Sequence, residues 1–114
     1  PYTTLFRSFI DAGLLRHRAT IERNEIAPDA MGGGRDSWVE VGETSVRLEP
    51  LNMESDKRLG QRVGTATHRV TLRARPGLDR GMAFRVGPRR LVIRTLHDPD
   101  ETGRYLVCRC EAEA

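Results

Sequence analysis

The sequence predicts an all-β chain: a small antiparallel β-barrel or sandwich of six to seven short strands with long loops. Two observations lead to that class. Residues 66–75, ATHRVTLRAR, place His68, Val70, Leu72 and Ala74 on one side of an extended chain and Thr67, Arg69, Thr71, Arg73 and Arg75 on the other. Strict alternation of this kind marks a half-buried strand with one dry and one wet face, and Thr and Val suit a pleated surface better than a helix. Around this run, further short runs recur at hairpin spacing between Gly, Pro and Asp clusters, as expected of antiparallel sheet. Residues 66–75 form the longest clean period-two run, so they are expected at the centre of the sheet.

The remaining elements follow in chain order. Residues 1–12 start at Pro1 and bring Leu5, Phe6, Phe9 and Ile10 into a short amphipathic turn. They are read as an N-terminal arm, either foreign to the native chain and frayed or packed on a neighbouring subunit. Residues 13–114 are read as one barrel domain. Leu15, His17, Ala19 and Ile21 alternate with Arg16, Arg18, Thr20 and Glu22, which predicts a first strand with His17 on its apolar side. A lone histidine there is a packing residue, because a metal site needs three or four converging ligands. The same holds for His68, and even with the two near each other on paired strands no carboxylate or thiol is spaced to complete a site.

Residues 27–37, APDAMGGGRDS, are expected to form a long hairpin loop, since Pro28 and three consecutive glycines break regular structure. No Lys-Ser/Thr pair or helix follows them, so they are not a phosphate loop. Two short strand runs, 38–41 and 44–48, are then expected on either side of Gly42. Trp38 should pack on the core with its N–H at the edge, and Pro50 ends the segment. Residues 52–64 are polar, with Lys57, Arg58 and Arg62 clustered. They read as a projecting loop, 51–64 at its widest, with one helical turn over 54–59; loops this long in a compact domain are usually functional or mobile. After a turn at 76–81, runs 82–86 and 90–96 form a hairpin through Gly87 and Pro88, with Ile93 in the core. A turn opens at Asp98-Pro99-Asp100, and residues 105–111 make the last strand, with Leu106, Cys108 and Cys110 on one face.

Composition limits the function. A chain of 114 residues supports one modest core. Hydrophobic residues at 38% and charged residues at 31% are compatible with a globular fold, while 5% aromatic leaves few rings for stacking on single-stranded nucleic acid. Nineteen Lys and Arg against sixteen Asp and Glu give a net charge of +3, a mildly basic surface rich in Arg, suited to polar protein interfaces as well as to phosphate. The two cysteines would sit on one strand face about 7 Å apart, beyond easy disulfide reach. With no membrane-length apolar run and no signal-peptide pattern, the chain is expected to be soluble and of cytoplasmic origin. Asp98, Asp100 and Glu101 cluster where a turn uses acidic residues and lack calcium-loop spacing. Cys108-x-Cys110 supplies two thiols where a structural zinc wants four ligands, and no GxSxG, HExxH or GxGxxG occurs. No enzyme and no cofactor are expected; the chemistry is recognition.

As a whole the pattern resembles the head-tail joining (head closure, or stopper) protein family of tailed bacteriophages and gene transfer agents. The resemblance covers residues 13–111 and rests on Leu15-Arg16-His17-Arg18, on Thr67-His68-Arg69-Val70-Thr71-Leu72-Arg73, and on the turn Asp98-Pro99-Asp100-Glu101 before the last strand. It implies a structural virion subunit, assembled in the host cytoplasm, that forms a homo-oligomeric ring, commonly of twelve. The ring would lie below the portal and adaptor rings and above the tail terminator or tail tube. It would close the channel holding packaged double-stranded DNA and offer the tail its attachment surface, without contact with a membrane. On that analogy Lys57, Arg58 and Arg62 face DNA or an acidic partner, and Gly32, Gly33 and Gly34 form an inter-subunit loop. The alternatives are another neck component (a tail terminator, or an adaptor, which should be mostly helical) and an OB-like nucleic-acid-binding barrel, which needs aromatics that residues 66–75 lack.

Overall fold

The computed structural model describes residues 12–28, 34–51 and 66–113. A short 3-10 turn, Ala12–Leu14, leads into six strands: β1 His17–Pro28, β2 Gly34–Pro50, β3 His68–Arg73, β4 Ala83–Val86, β5 Arg89–His97 and β6 Tyr105–Ala112. All pair antiparallel, and the hydrogen-bond ladder closes on itself in the order β1-β2-β3-β6-β5-β4. The expected barrel-or-sandwich is therefore a closed barrel. The run expected at the centre is β3, between β2 and β6, though in a closed ladder no strand is central.

The alternation in the sequence places the core. Val70 and Leu72 on β3, Leu91 and Ile93 on β5, and Cys108 and Cys110 on β6 are fully buried, and they meet Ala19, Ile21, Val46 and Phe84 inside the barrel. On the other face of β6, Tyr105 and Val107 form a second small cluster with Leu15 packed on it. Outward-facing charges pair across strands as antiparallel register allows. Glu49 lies opposite Arg69 and holds it at 3.7 Å, with Arg47 at 3.6 Å on its other oxygen. The β4–β5 hairpin is as expected, a two-residue loop of Gly87 and Pro88 between paired Val86 and Arg89. Gly87 has φ of +61°, the conformation that the first loop residue of a type II′ turn requires.

Four expectations need correction. Residues 27–37 are not all loop: β1 runs to Pro28 and β2 begins at Gly34, with Ala27 opposite Arg35 and Pro28 opposite Gly34. The strand runs on either side of Gly42 are one strand. The chain passes that point through a β-bulge, where Ile21 lies opposite Gly42 but Glu22 lies opposite Glu40, leaving Val41 as the extra residue. The Arg75 guanidinium lies against Gly42, where a Cβ would come within 2.8 Å of its Nη2, and its Nη1 donates to the Glu43 carbonyl at 3.1 Å. His17 is exposed at the mouth of the barrel, not packed on its apolar side. It is not on a strand paired with that of His68 either, because β2 lies between β1 and β3. Finally, Trp38 is half-buried on the outside, not in the core.

Candidate assembly surface

The strands alternate in direction around the barrel, and this sorts every connection to one of two poles. At one pole lie the β1–β2 connection, the turn between β3 and β4, and the turn between β5 and β6. At the other lie the start of β1, the β4–β5 turn, the end of β6 and the two stems from which residues 52–65 depart. The two loops singled out in the sequence thus belong to opposite poles. Gly34 opens β2 at the first pole; Gly32 and Gly33 lie outside the described residues. Lys57, Arg58 and Arg62 also lie outside them, and the structure brings only their stems into view.

The first pole carries a ribbon. β4 pairs with β1 only at Thr20, Ile21 and Glu22, and β3 pairs with β2 only from Val46 to Pro50. Residues 23–28 therefore pair with residues 34–39 alone, and the two strands leave the barrel together. An isolated two-stranded hairpin is marginal in water, so the base of the ribbon needs support. Glu22 supplies it from the outer face: its carboxylate accepts from Nε of Arg90 at 2.8 Å and faces Nε of Arg85 at 3.5 Å. Arg90 also donates to Glu113 at 3.2 Å, and its guanidinium lies 4.9 Å from the centre of the Trp38 ring, a cation–π distance. The hydrogen bond to Glu22, more than any other contact, raises the Arg90 pKa. One arginine from β5 thus ties β1, β2 and the chain's last residues to the barrel. Nothing in the local sequence of Glu22 announces this role, because its partner is 68 residues away.

The second pole is held by a smaller polar network. The Thr67 hydroxyl accepts the Ala112 N–H at 2.9 Å and lies 2.8 Å from Nδ1 of His68, while Nη1 of Arg89 lies 3.4 Å from the Nε2 of the same ring. A neutral imidazole can accept there from Arg89; an imidazolium cannot. Burial, followed by the charge of Arg89, lowers the His68 pKa below its ordinary 6.5. Backbone bonds from Leu51 to Thr67 and from Thr67 to Cys110 fix the stems of the 52–65 connection to β6.

The acidic cluster after β5 does the work of a turn. Asp98 accepts the N–H groups of Asp100 and Gly103, and Asp100 accepts both the N–H and the hydroxyl of Thr102. The Thr102 hydroxyl bond lowers the Asp100 pKa. Among the described residues, no group of three or more His, Cys, Asp or Glu is placed to hold a metal ion. Both thiols are free and buried; desolvation pushes Cys108 up to about 12 and Cys110 higher still. A thiol held protonated is a poor nucleophile and a poor ligand. No helix among the described residues is long and apolar enough to cross a membrane.

The chain matches a family model described as phage head completion protein over residues 10–113. It is similar to the solution structure of protein SF1141 from Shigella flexneri 2a, with 23% identity and a TM-score of 0.69 over 92% of this chain and 98% of that one. It is also similar to a chain in the virion of a native gene transfer agent particle, with 23% identity and a TM-score of 0.57 over 86% and 94% of the two chains. No curated protein matches it.

Proposed function

The chain belongs to the phage head completion protein family, a family of structural virion proteins, and from that membership we propose that it is a ring subunit of the particle's neck. The ring, of about twelve copies, lies below the portal and adaptor rings and closes the DNA channel of the filled head. Its far side offers the surface on which the tail terminator or tail tube docks. Subunits are made in the host cytoplasm and end in the virion. Residues 13–114 supply the barrel, residues 1–12 an arm against a neighbouring subunit, and residues 51–64 a loop toward the channel. Lys57, Arg58 and Arg62 meet DNA or an acidic partner there.

The observation that carries this reading is the two-poled barrel. A subunit stacked between two different rings needs distinct surfaces at its two ends, with side walls left for its neighbours. Here the ribbon leaves at one end and the 52–65 connection at the other. The aromatic rings disfavour the nucleic-acid barrel: Phe84 and Tyr105 are buried, and Trp38 lies against Arg90, so no aromatic ring on the described strands is open for a base to stack on.

Light scattering of the purified chain, alone and mixed with portal–adaptor complexes, tests the reading. Stoichiometric joining is expected. A chain that ignores these complexes but binds oligonucleotides with a steep salt dependence overturns it. For the basic loop, changing Lys57, Arg58 and Arg62 together to Glu should yield particles that lose packaged DNA, and normal retention would remove that role.

A further inference from the structure

We infer that the β1–β2 ribbon is the seam between neighbouring subunits: the free edge of β1 in one copy adds antiparallel to the free edge of β2 in the next. The inference rests on the ring reading above and names the contact that would close the ring. Four features of the ribbon lead to it.

The first is hydrogen bonding. Among the described residues, no strand pairs with β1 beyond Glu22 except β2, and none pairs with β2 before Val46 except β1. Within the barrel the ladder closes, and the shorter open stretches there are residues 95–97 of β5, paired with β6 alone, and residues 17–19 of β1, paired with β2 alone. Backbone donors and acceptors on an open edge are a template for a further strand, and folded proteins cover or blunt such edges.

The second is apolar exposure. The two exposed large hydrophobic residues among those described are Ile26, at 71%, and Val41, at 40%. Ile26 lies in the ribbon on β1, and Val41 lies at the bulge of β2 where the ribbon leaves the barrel. Elsewhere on the described chain the large apolar side chains are buried or half-buried.

The third is charge. At the β1 edge exposed Arg23 and Arg80 stand beside exposed Glu25 and Asp79, with Arg23 paired to Glu25 at 2.7 Å, while exposed Asp36, Glu40 and Glu43 lie along β2, with Glu43 paired to Arg18 at 3.5 Å. The β1 edge offers arginines that the β2 acids can meet across copies, whereas two β2 edges would bring acid against acid.

The fourth is a recess. Where β1 continues past Glu22, the chain before β4 turns away and leaves about 360 Å³ beside β1, lined by Asn24, Ile26, Arg80 and Met82 among others. The Nδ2 of Asn24 donates to Asp36 at 3.0 Å, while its Oδ1 is buried without a donor. Such an orphan acceptor costs free energy until a donor arrives, and a strand laid along β1 brings one.

The geometry of a ring makes these features compatible. β1 and β2 run in opposite directions, and rotation about the ring axis leaves every ribbon pointing the same way. β1 of one copy then meets β2 of the next as an antiparallel pair, with the same contact repeated until the ring closes. Every ribbon edge is paired, and none is left to recruit a stray chain.

The test combines disulfide trapping with one charge insertion in the full chain. Ile26 and Glu40 share a face of the ribbon through their pairing partners Asp36 and Glu22. The double variant Ile26→Cys with Glu40→Cys, scanned also with Cys at Asp36 and Ser37 to cover the register, is assembled on portal–adaptor complexes and oxidised. The native thiols are buried and add little background. A ladder of covalently linked copies is expected from at least one pair and from neither single variant. Ile26→Asp alone should melt like the parent chain yet join the complexes at least tenfold more weakly. If the parent joins stoichiometrically while no pair gives a ladder, the seam is overturned and the ring reading stands. A parent chain that forms no ring overturns both. Should Ile26→Asp fail to fold, the trapping scan decides alone.

Discussion

The barrel and the ribbon are built from the same two strands, yet their environments are opposite. Within the barrel, Ala19 and Ile21 on β1 and Val46 on β2 are at most 1% exposed. A few residues on, Ile26 is 71% exposed and has only β2 beside it. The barrel half is held by burial on one face and pairing on both edges. The ribbon half is held by pairing on one edge and by the anchor of Glu22 and Arg90 at its base. A strand can therefore serve the fold over one stretch and be left open for a partner over the next, with the bulge at Val41 marking the passage between them.

Three measurements break or sharpen this comparison. The largest effect is expected from Ile93→Asp, which puts a carboxylate at a position with no exposed surface and no cation in the core. The desolvation cost of an unpaired buried charge is comparable to the whole stability of a domain this size. Soluble folded protein should disappear, and a well-folded variant by circular dichroism would refute the facing of β5.

A middle effect is expected at the base of the ribbon. Glu22→Gln keeps the shape but removes the charge that Arg85 and Arg90 face. Arg90 is 27% exposed, so water offsets part of the loss, and a cost of roughly 1–2 kcal/mol is expected in urea denaturation. A change below about 0.3 kcal/mol would mean that the ribbon is not anchored there.

The smallest effect belongs to the far pole. The folded chain holds the His68 pKa below 6.5 through burial and Arg89, so it binds fewer protons than the unfolded chain near that pH. Stability from this group is complete above the unfolded value. It falls as pH drops through 6.5 toward the lower folded value, then levels off below both. His68→Gln should flatten that part of a stability–pH curve measured from pH 8 to 4. An unchanged slope would show that another group sets it.

Much of the barrel was legible in the sequence, because side-chain alternation is a local property. Val70 and Leu72, Cys108 and Cys110, and Ile93 can be assigned to the core from period two alone, and the Gly87-Pro88 hairpin from its turn residues. The ribbon was not legible. Pro28 and the glycines of residues 32–34 are local breakers, and they mask the pairing of Ala27 with Arg35, which depends on the partner strand and not on either segment alone. Trp38 looked like a core residue because large apolar rings usually are; its place was decided by Arg90, which arrives from β5.

The sequence by itself determined the fold class, the facing of most strands and the absence of familiar catalytic motifs, since each depends on residue type and short spacing. Only the tertiary structure decided that the sheet closes and that β1 and β2 outrun it. It also decided that Glu22 meets a partner 68 residues away and that the two loops of interest leave from opposite poles. These follow from which strands neighbour one another, and contacts between distant segments leave no periodic trace in the chain.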